Sequence, residues 1–164
     1  MQKKQNHFAV FLDVDGVLNT ETTCKKTPNG YKGIDNARVE ILAKIIDKIG
    51  GGDIVLSSDW KEMKSTDDDY IYLVDKLALY GLKIAAQTQD ITYKCKRGAG
   101  IKAYLEEHTE IEEYIILDDN KFDFQDDTKL WDRLLLTNGI EKAQFASETP
   151  AVEAILFKDY LKLF

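Results

Sequence analysis

Short apolar runs alternate along the chain with stretches whose apolar residues recur every three to four positions. Residues 8–12 (FAVFL) are apolar throughout and stop at Asp13, which predicts a buried first strand. Residues 19–33 are polar and carry Pro28-Asn29-Gly30 as turn chemistry. Residues 34–49 then place Val39, Leu42, Ile45, Ile46 and Ile49 at helical spacing, and Gly50-Gly51-Gly52 ends that helix. A second strand is expected over residues 53–56 (DIVL), running into Ser57-Ser58-Asp59-Trp60, and a helix over residues 70–79 that Gly81 breaks. A third strand follows at residues 82–86, then a helix over residues 98–107 with Ile101, Tyr104 and Leu105 on one face. Residues 114–117 form a strand that meets Asp118-Asp119, residues 134–136 a fifth, and a last helix spans residues 151–161 with Thr149 as N-cap and Pro150 as first residue. Strands alternating with helices predict an α/β fold: a central parallel sheet of about five strands, joined by right-handed crossovers, with helices on both faces. With 164 residues and no repeat, low-complexity tract or linker, residues 1–164 read as a single domain.

Charge and cysteine usage narrow the partners. A net charge of −7 and a pI near 4.9 repel nucleic-acid phosphate at long range, which excludes a broad basic binding face but not a small local one. The loop with Lys25, Lys26 and Tyr31 offers such a spot, or else a mobile flap. The apolar run 8–12 is too short for a signal-peptide core, no stretch is long enough to cross a bilayer, and Cys24 and Cys95 lack metal-ligand or CxxC spacing. A reduced, cytoplasmic protein is expected.

Three predicted strands end in polar groups: Asp13 and Asp15 after the first, Ser57 and Ser58 after the second, Asp118 and Asp119 after the fourth. In a parallel sheet these ends share one edge, where ligands bind. Four carboxylates there would repel one another by several kcal/mol, on the order expected at low effective dielectric, so a bound cation is the simplest way to keep them ionised. Ligation by oxygen alone suits Mg²⁺. Any one Asp at a strand end is usually a turn former or helix cap. The joint pattern, with Gly16 beside an acidic pair, has no such structural purpose.

The stretch LDVDGVLN resembles the first motif of the haloacid dehalogenase (HAD) superfamily of phosphotransferases. The rest of that superfamily's pattern follows in order: Ser57, then Lys94, Lys96 and Arg97 in YKCKRGAG, then Asp118-Asp119 in IILDDN. IVLSSDWK, KRGAGIKAYLEE and YIILDD are further similar to small HAD domains grouped with RNA-repair proteins and polynucleotide-end phosphatases, although those usually read Ser or Thr, then Trp, then Arg, where this chain has Asp59 before Trp60 and Lys61 after it. The resemblance implies a Rossmann-like domain in which Asp13 attacks phosphorus to give an aspartyl phosphate. It implies that Asp15 serves as general acid and then base, which argues against dehalogenation. Mg²⁺ would be held by Asp13, the Asp15 carbonyl and an acid of the late pair, Asp119 being favoured as direct ligand and Asp118 orienting it or a water. Ser57, or its neighbour Ser58, would donate to the phosphoryl oxygens beside Gly16, and Arg97 would offset their charge, with Lys96 and Lys94 as rivals.

Other residues draw blander readings. Asp67-Asp68-Asp69 suits a helix N-terminus and is given no role. Asp123, Asp126 and Asp127 read as a solvated loop, His7 and His108 as surface residues, and Trp60 as core in preference to a stacking platform for a base. The intervals 19–34 and 60–94 are too small for the cap domain that HAD enzymes of small metabolites usually carry. A capless, open site favours a bulky substrate such as a nucleic-acid end or phosphoprotein, or closure by a partner protein. The expected protein is thus a Mg²⁺-dependent phosphomonoesterase. The alternative is a non-catalytic module on the same fold, binding Mg²⁺ and a phospho-ligand or a partner; the presence of both Asp13 and Asp15 speaks against it. A response-regulator receiver is excluded by order, since its acidic pair follows the first strand.

Overall fold

The computed structural model describes residues 7–90 and 96–164. Six strands, β1 (Phe8–Leu12), β2 (Asp53–Leu56), β3 (Ile84–Gln87), β4 (Glu113–Asp118), β5 (Leu134–Leu136) and β6 (Gln144–Phe145), form one sheet in the order β3-β2-β1-β4-β5-β6. The first five are parallel, and β6 runs antiparallel to β5. The sheet is therefore one strand wider than the pattern predicts, because the two residues of β6 are too few to carry a period.

Pleating divides the strand residues between two apolar layers. Val10, Leu12, Ile54, Leu56, Ile115 and Leu117 face one layer, with α1 (Asn36–Lys48), α2 (Asp68–Ala78) and α5 (Val152–Leu161) packed over it. Phe11, Val55 and Ile116 face the other, covered by Ile101 of α3 (Arg97–Glu107) and Leu130 of α4 (Thr128–Trp131). Every residue of β1 is buried because the strand is central and covered on both sides, which is why FAVFL has no polar alternation.

Helix ends explain where the structure departs from the pattern. Gly50 and Gly51, at φ +88° and +100°, turn the chain out of α1 as the glycine run predicts. After α2, Gly81 adopts φ +75° and the Leu82 N–H donates to the Leu77 carbonyl at 3.0 Å. Leu82 is thereby spent on closing the helix, and β3 begins at Ile84 rather than at residue 82. Thr149 is not the N-cap of α5. That place belongs to Ala151, whose N–H donates to the Asp132 carbonyl at 2.7 Å, so Pro150 precedes the helix.

The polar segment 19–33 is tied down. Asp69, 2% exposed at the start of α2, accepts from Thr27 Oγ1 at 2.9 Å and from the Asn29 N–H at 3.0 Å, and Tyr72 Oη accepts from the Ile34 N–H at 3.0 Å. Lys26 and Lys32 form an isolated antiparallel bridge within it. The flap reading is thus replaced by a pinned loop, and Asp69 has a structural purpose. The segment between β2 and β3 holds a 3₁₀ turn (Asp59–Glu62) and α2, so neither interval carries a cap. No helix among the described residues is long and apolar enough to cross a membrane.

Candidate active site

The strand order places the site. The chain runs from β1 to β2 and β3 on one side and returns to β4 on the other, leaving a switch point between β1 and β4 at the carboxyl edge. Backbone bonds continue past the strand ends and align the residues that follow: Thr88 N to Leu56 O, Ser57 N to Leu12 O and Asp13 N to Leu117 O, each at 3.0 Å, and Thr137 N to Asp118 O at 3.1 Å. Thr88, Ser57, Asp13, Asp118 and Thr137 therefore stand in a row across the edge.

Asp13, Asp118 and Asp119 each bring a carboxylate oxygen within 4.8 Å of the others. Asp13 and Asp118 are buried and Asp119 is exposed. Arg97 lies among them: its Nη1 is 3.1 Å from Asp13 Oδ2, and 3.0 and 2.9 Å from the two Asp118 oxygens. One guanidinium cannot offset three carboxylates. Burial, and then the charge of Asp118, raise the Asp13 carboxyl well above the ordinary range against the pull of Arg97. Burial likewise pushes Asp118 up to about 6 although Arg97 draws it down. Burial also opposes the Arg97 charge, but Asp13 and Asp118 outweigh it and hold that group more firmly protonated than usual.

Among the described residues, two buried side-chain oxygens have no hydrogen-bond partner, Asp13 Oδ1 and Ser57 Oγ. Both belong to the row at the sheet edge. Excess negative charge, an all-oxygen donor set and an orphaned carboxylate oxygen together fit a hard divalent cation. Ser58 is committed elsewhere: its Oγ accepts from the Trp60 N–H at 3.2 Å and caps the 3₁₀ turn, which leaves Ser57 as the uncommitted hydroxyl.

Gly16 follows the acidic pair with φ +83°. Its N–H donates to Asn19 Oδ1 at 3.0 Å, and its carbonyl accepts from Thr137 Oγ1 at 2.7 Å and from the Gly139 N–H at 2.8 Å. A Cβ here would stand 2.4 Å from Asp119 Oδ2. Gly16→Ala is therefore expected to displace Asp119 as well as strain the backbone, lowering stability by about 2 kcal/mol and weakening divalent-cation binding. Calorimetric titration beside thermal melting checks both effects.

Asp15 is exposed and stands apart from the three gathered acids. Its Oδ1 accepts from Asn19 Nδ2 at 2.9 Å and its Oδ2 from Trp60 Nε1 at 3.1 Å. Lys96 is exposed at the N-cap of α3, directly before Arg97, and Lys94 lies outside the described residues. Asp123 Oδ2 accepts weakly from the Arg97 N–H at 3.4 Å, and Asp127 caps α4. His7 and His108 are half-buried where the sequence predicts surface residues: His7 precedes β1 at its amino end, opposite the site edge, and His108 follows α3 and stacks on Tyr104.

The contacts of several neighbours have no counterpart in the sequence reading. Lys61, 7% exposed, reaches Thr88 Oγ1 and Asp90 Oδ1, each at 3.0 Å, and so links the ends of β2 and β3. Trp60 is core, as expected, but its indole N–H serves Asp15. Asn19 had a visible signal as the last letter of LDVDGVLN, and Lys61 as the residue that stands where the resemblance expects Arg. A cleft of about 920 Å³ opens beside Asp15, Gly16, Asn19, Trp60 and Asp119, and its wider lining carries Glu21, Asp59 and Asp69 against Lys32.

Residues 9–142 match the family model described as the HAD domain in Swiss Army Knife RNA repair proteins. The match begins in β1 and takes in every site residue from Asp13 to Asp119, whereas β6 and α5 lie beyond it. No curated protein matches the chain significantly.

Proposed function

Because the chain belongs to the family of HAD domains found in Swiss Army Knife RNA repair proteins, we propose that it is a Mg²⁺-dependent phosphomonoesterase that works through an aspartyl phosphate. The observation that carries this is the orphaned oxygen of Asp13, buried between Asp118, Asp119 and Arg97 at the switch point. Asp13 is the nucleophile, and Ser57 and Arg97 bind the phosphoryl oxygens. Asp15 gives a proton to the leaving oxygen and takes one from the attacking water. Asp13, Asp118 and Asp119 would hold the ion, which when bound supplies positive charge against the acids and the phosphoryl group.

The family supports a nucleic-acid end as substrate, and the spacing of Cys24 and Cys95 supports a reduced, cytoplasmic setting. The acidic excess along the cleft favours an entry in which only the terminal phosphate meets the site and the rest of the chain leads away from it. Hydrolysis of an aryl phosphate, measured with Mg²⁺ and with chelator, tests the reaction: turnover with the metal and none without it is expected. Activity that is indifferent to chelation would sink the metal-dependent reading. A panel of 3′- and 5′-phosphorylated oligonucleotides, phosphopeptides and sugar phosphates tests the substrate class, with the oligonucleotide ends expected to give the highest kcat/KM.

A further inference from the structure

Asp15 presents a contrast between its exposure and its bonding. The side chain lies at the mouth of an open cleft, where a carboxylate would sample several rotamers, yet both oxygens are engaged by donors that cannot move. Trp60 is 5% exposed and packs in the core layer with α1, α2 and α5, so its indole is fixed by its neighbours. Asn19 is 1% exposed, and its amide is fixed by the Gly16 N–H on its oxygen and by a second N–H given to the Gly33 carbonyl at 2.8 Å. Both groups are obligate donors, and each Asp15 oxygen keeps a second lone pair for a transferred proton.

We propose that Trp60 and Asn19 are positioning residues for Asp15, their two N–H groups fixing the carboxyl group that passes a proton to the leaving oxygen. This rests on the phosphomonoesterase reading and deepens it. In the first half-reaction an Asp13 oxygen forms a bond to phosphorus, the bond from phosphorus to the leaving oxygen breaks with its electron pair on that oxygen, and the Asp15 proton moves there. The products are an alcohol and aspartyl phosphate. In the second, water oxygen bonds to phosphorus, its proton goes to the Asp15 carboxylate, and the bond to Asp13 breaks with the pair returning to Asp13. Inorganic phosphate leaves and Asp15 is again protonated.

Misplacement of a general acid has a signature that loss of packing lacks. An acidic phenol departs without a proton, whereas an alkoxide needs one. The readout is kcat/KM, which reports steps only up to the first irreversible one, formation of aspartyl phosphate. Trp60→Phe removes the N–H. Benzothienylalanine at position 60, in a Trp131→Phe parent, replaces that N–H by sulfur at nearly constant volume and keeps the test valid should the Phe variant fold poorly. Each is expected to lose at least about tenfold more kcat/KM on an alkyl phosphate than on p-nitrophenyl phosphate, with Asp15→Asn showing the same pattern more strongly. Equal losses on the two substrates, or no loss in the sulfur isostere, would reduce Trp60 to packing and overturn this inference alone. Absence of Asp13-dependent turnover in the parent would overturn the phosphatase reading together with it.

Discussion

Asp13→Asn is expected to lower kcat/KM for an aryl phosphate by at least about 10⁴-fold while making the metal-free protein more resistant to heat at pH 7.5. The amide has the shape of the carboxylate, so packing in this nearly closed position is kept, but it cannot attack phosphorus to form an acyl phosphate. The gain in stability comes from charge. Asp13 is 2% exposed, and its carboxyl is raised well above the ordinary value of 3.8 by burial and by Asp118. An acid whose pKa is higher in the folded than in the unfolded chain binds more protons when folded, so stability falls as pH rises through that window and no penalty exists below it. Asp118 adds in the same direction between 3.8 and about 6. The neutral amide escapes its share of the penalty at pH 7.5, and the advantage should shrink towards pH 4. Melting curves in chelator at the two pH values, beside the activity assay, check the pair of effects. A variant as active as wild type would remove Asp13 as nucleophile, and one that melts earlier at pH 7.5 would show the repulsion relieved by other means.

Arg97→Met is expected to have the opposite effect on stability and a second large effect on turnover. The guanidinium is 15% exposed and the only cation whose contacts reach both Asp13 and Asp118 among the described residues. Breaking a buried charge cluster by removing one partner leaves uncompensated charge, at a cost of about 3–5 kcal/mol. In chelator at pH 7.5 the melting temperature is expected to fall accordingly, and kcat/KM to drop by about 10²- to 10³-fold through loss of a fixed positive charge at the phosphoryl group. Mg²⁺ should recover part of the stability and little of the activity. Arg97→Lys should restore less than full function, because a shorter side chain ending in a compact ammonium cannot keep one nitrogen on Asp13 and both Asp118 oxygens while a second faces Asp59. A loss under about 1 kcal/mol in the Met variant would mean that another group neutralises the buried acids.

What could be read from the sequence divides along physical lines. β2 and β5 occupy the residues that the apolar runs predict, because a strand buried on both faces has nothing but its own hydrophobicity to declare. β6, α4 and the 3₁₀ turn at Asp59–Glu62 are too short for any period to register. The gathering of acids was visible because parallel strands must end at one edge, so Asp13 and Asp118, more than a hundred positions apart, become neighbours through topology alone. Contacts that depend on where a side chain happens to point left no trace. Trp60 reaching Asp15, Asp69 holding the 19–33 loop, and Lys61 reaching Asp90 all join residues by long-range packing, for which no spacing rule exists. The choice between Ser57 and Ser58 was open in the sequence, and a helix-cap bond at Ser58 leaves Ser57 free.

The fastening of Gly16 bears on how the protein comes into being. Its carbonyl is gripped by Thr137, 121 positions later, and by Gly139, while Ile140 holds Val17 in the same way. A growing polypeptide exposes Gly16 and the acids beside it 121 positions before Thr137, the first part of the clasp that shapes the surrounding turn, leaves the ribosome. On the proposed reading, hydrolytic competence therefore waits until β5 docks and its trailing segment closes on the first turn. Chains that stop short of Thr137 carry the acids of the first turn without the clasp that shapes it.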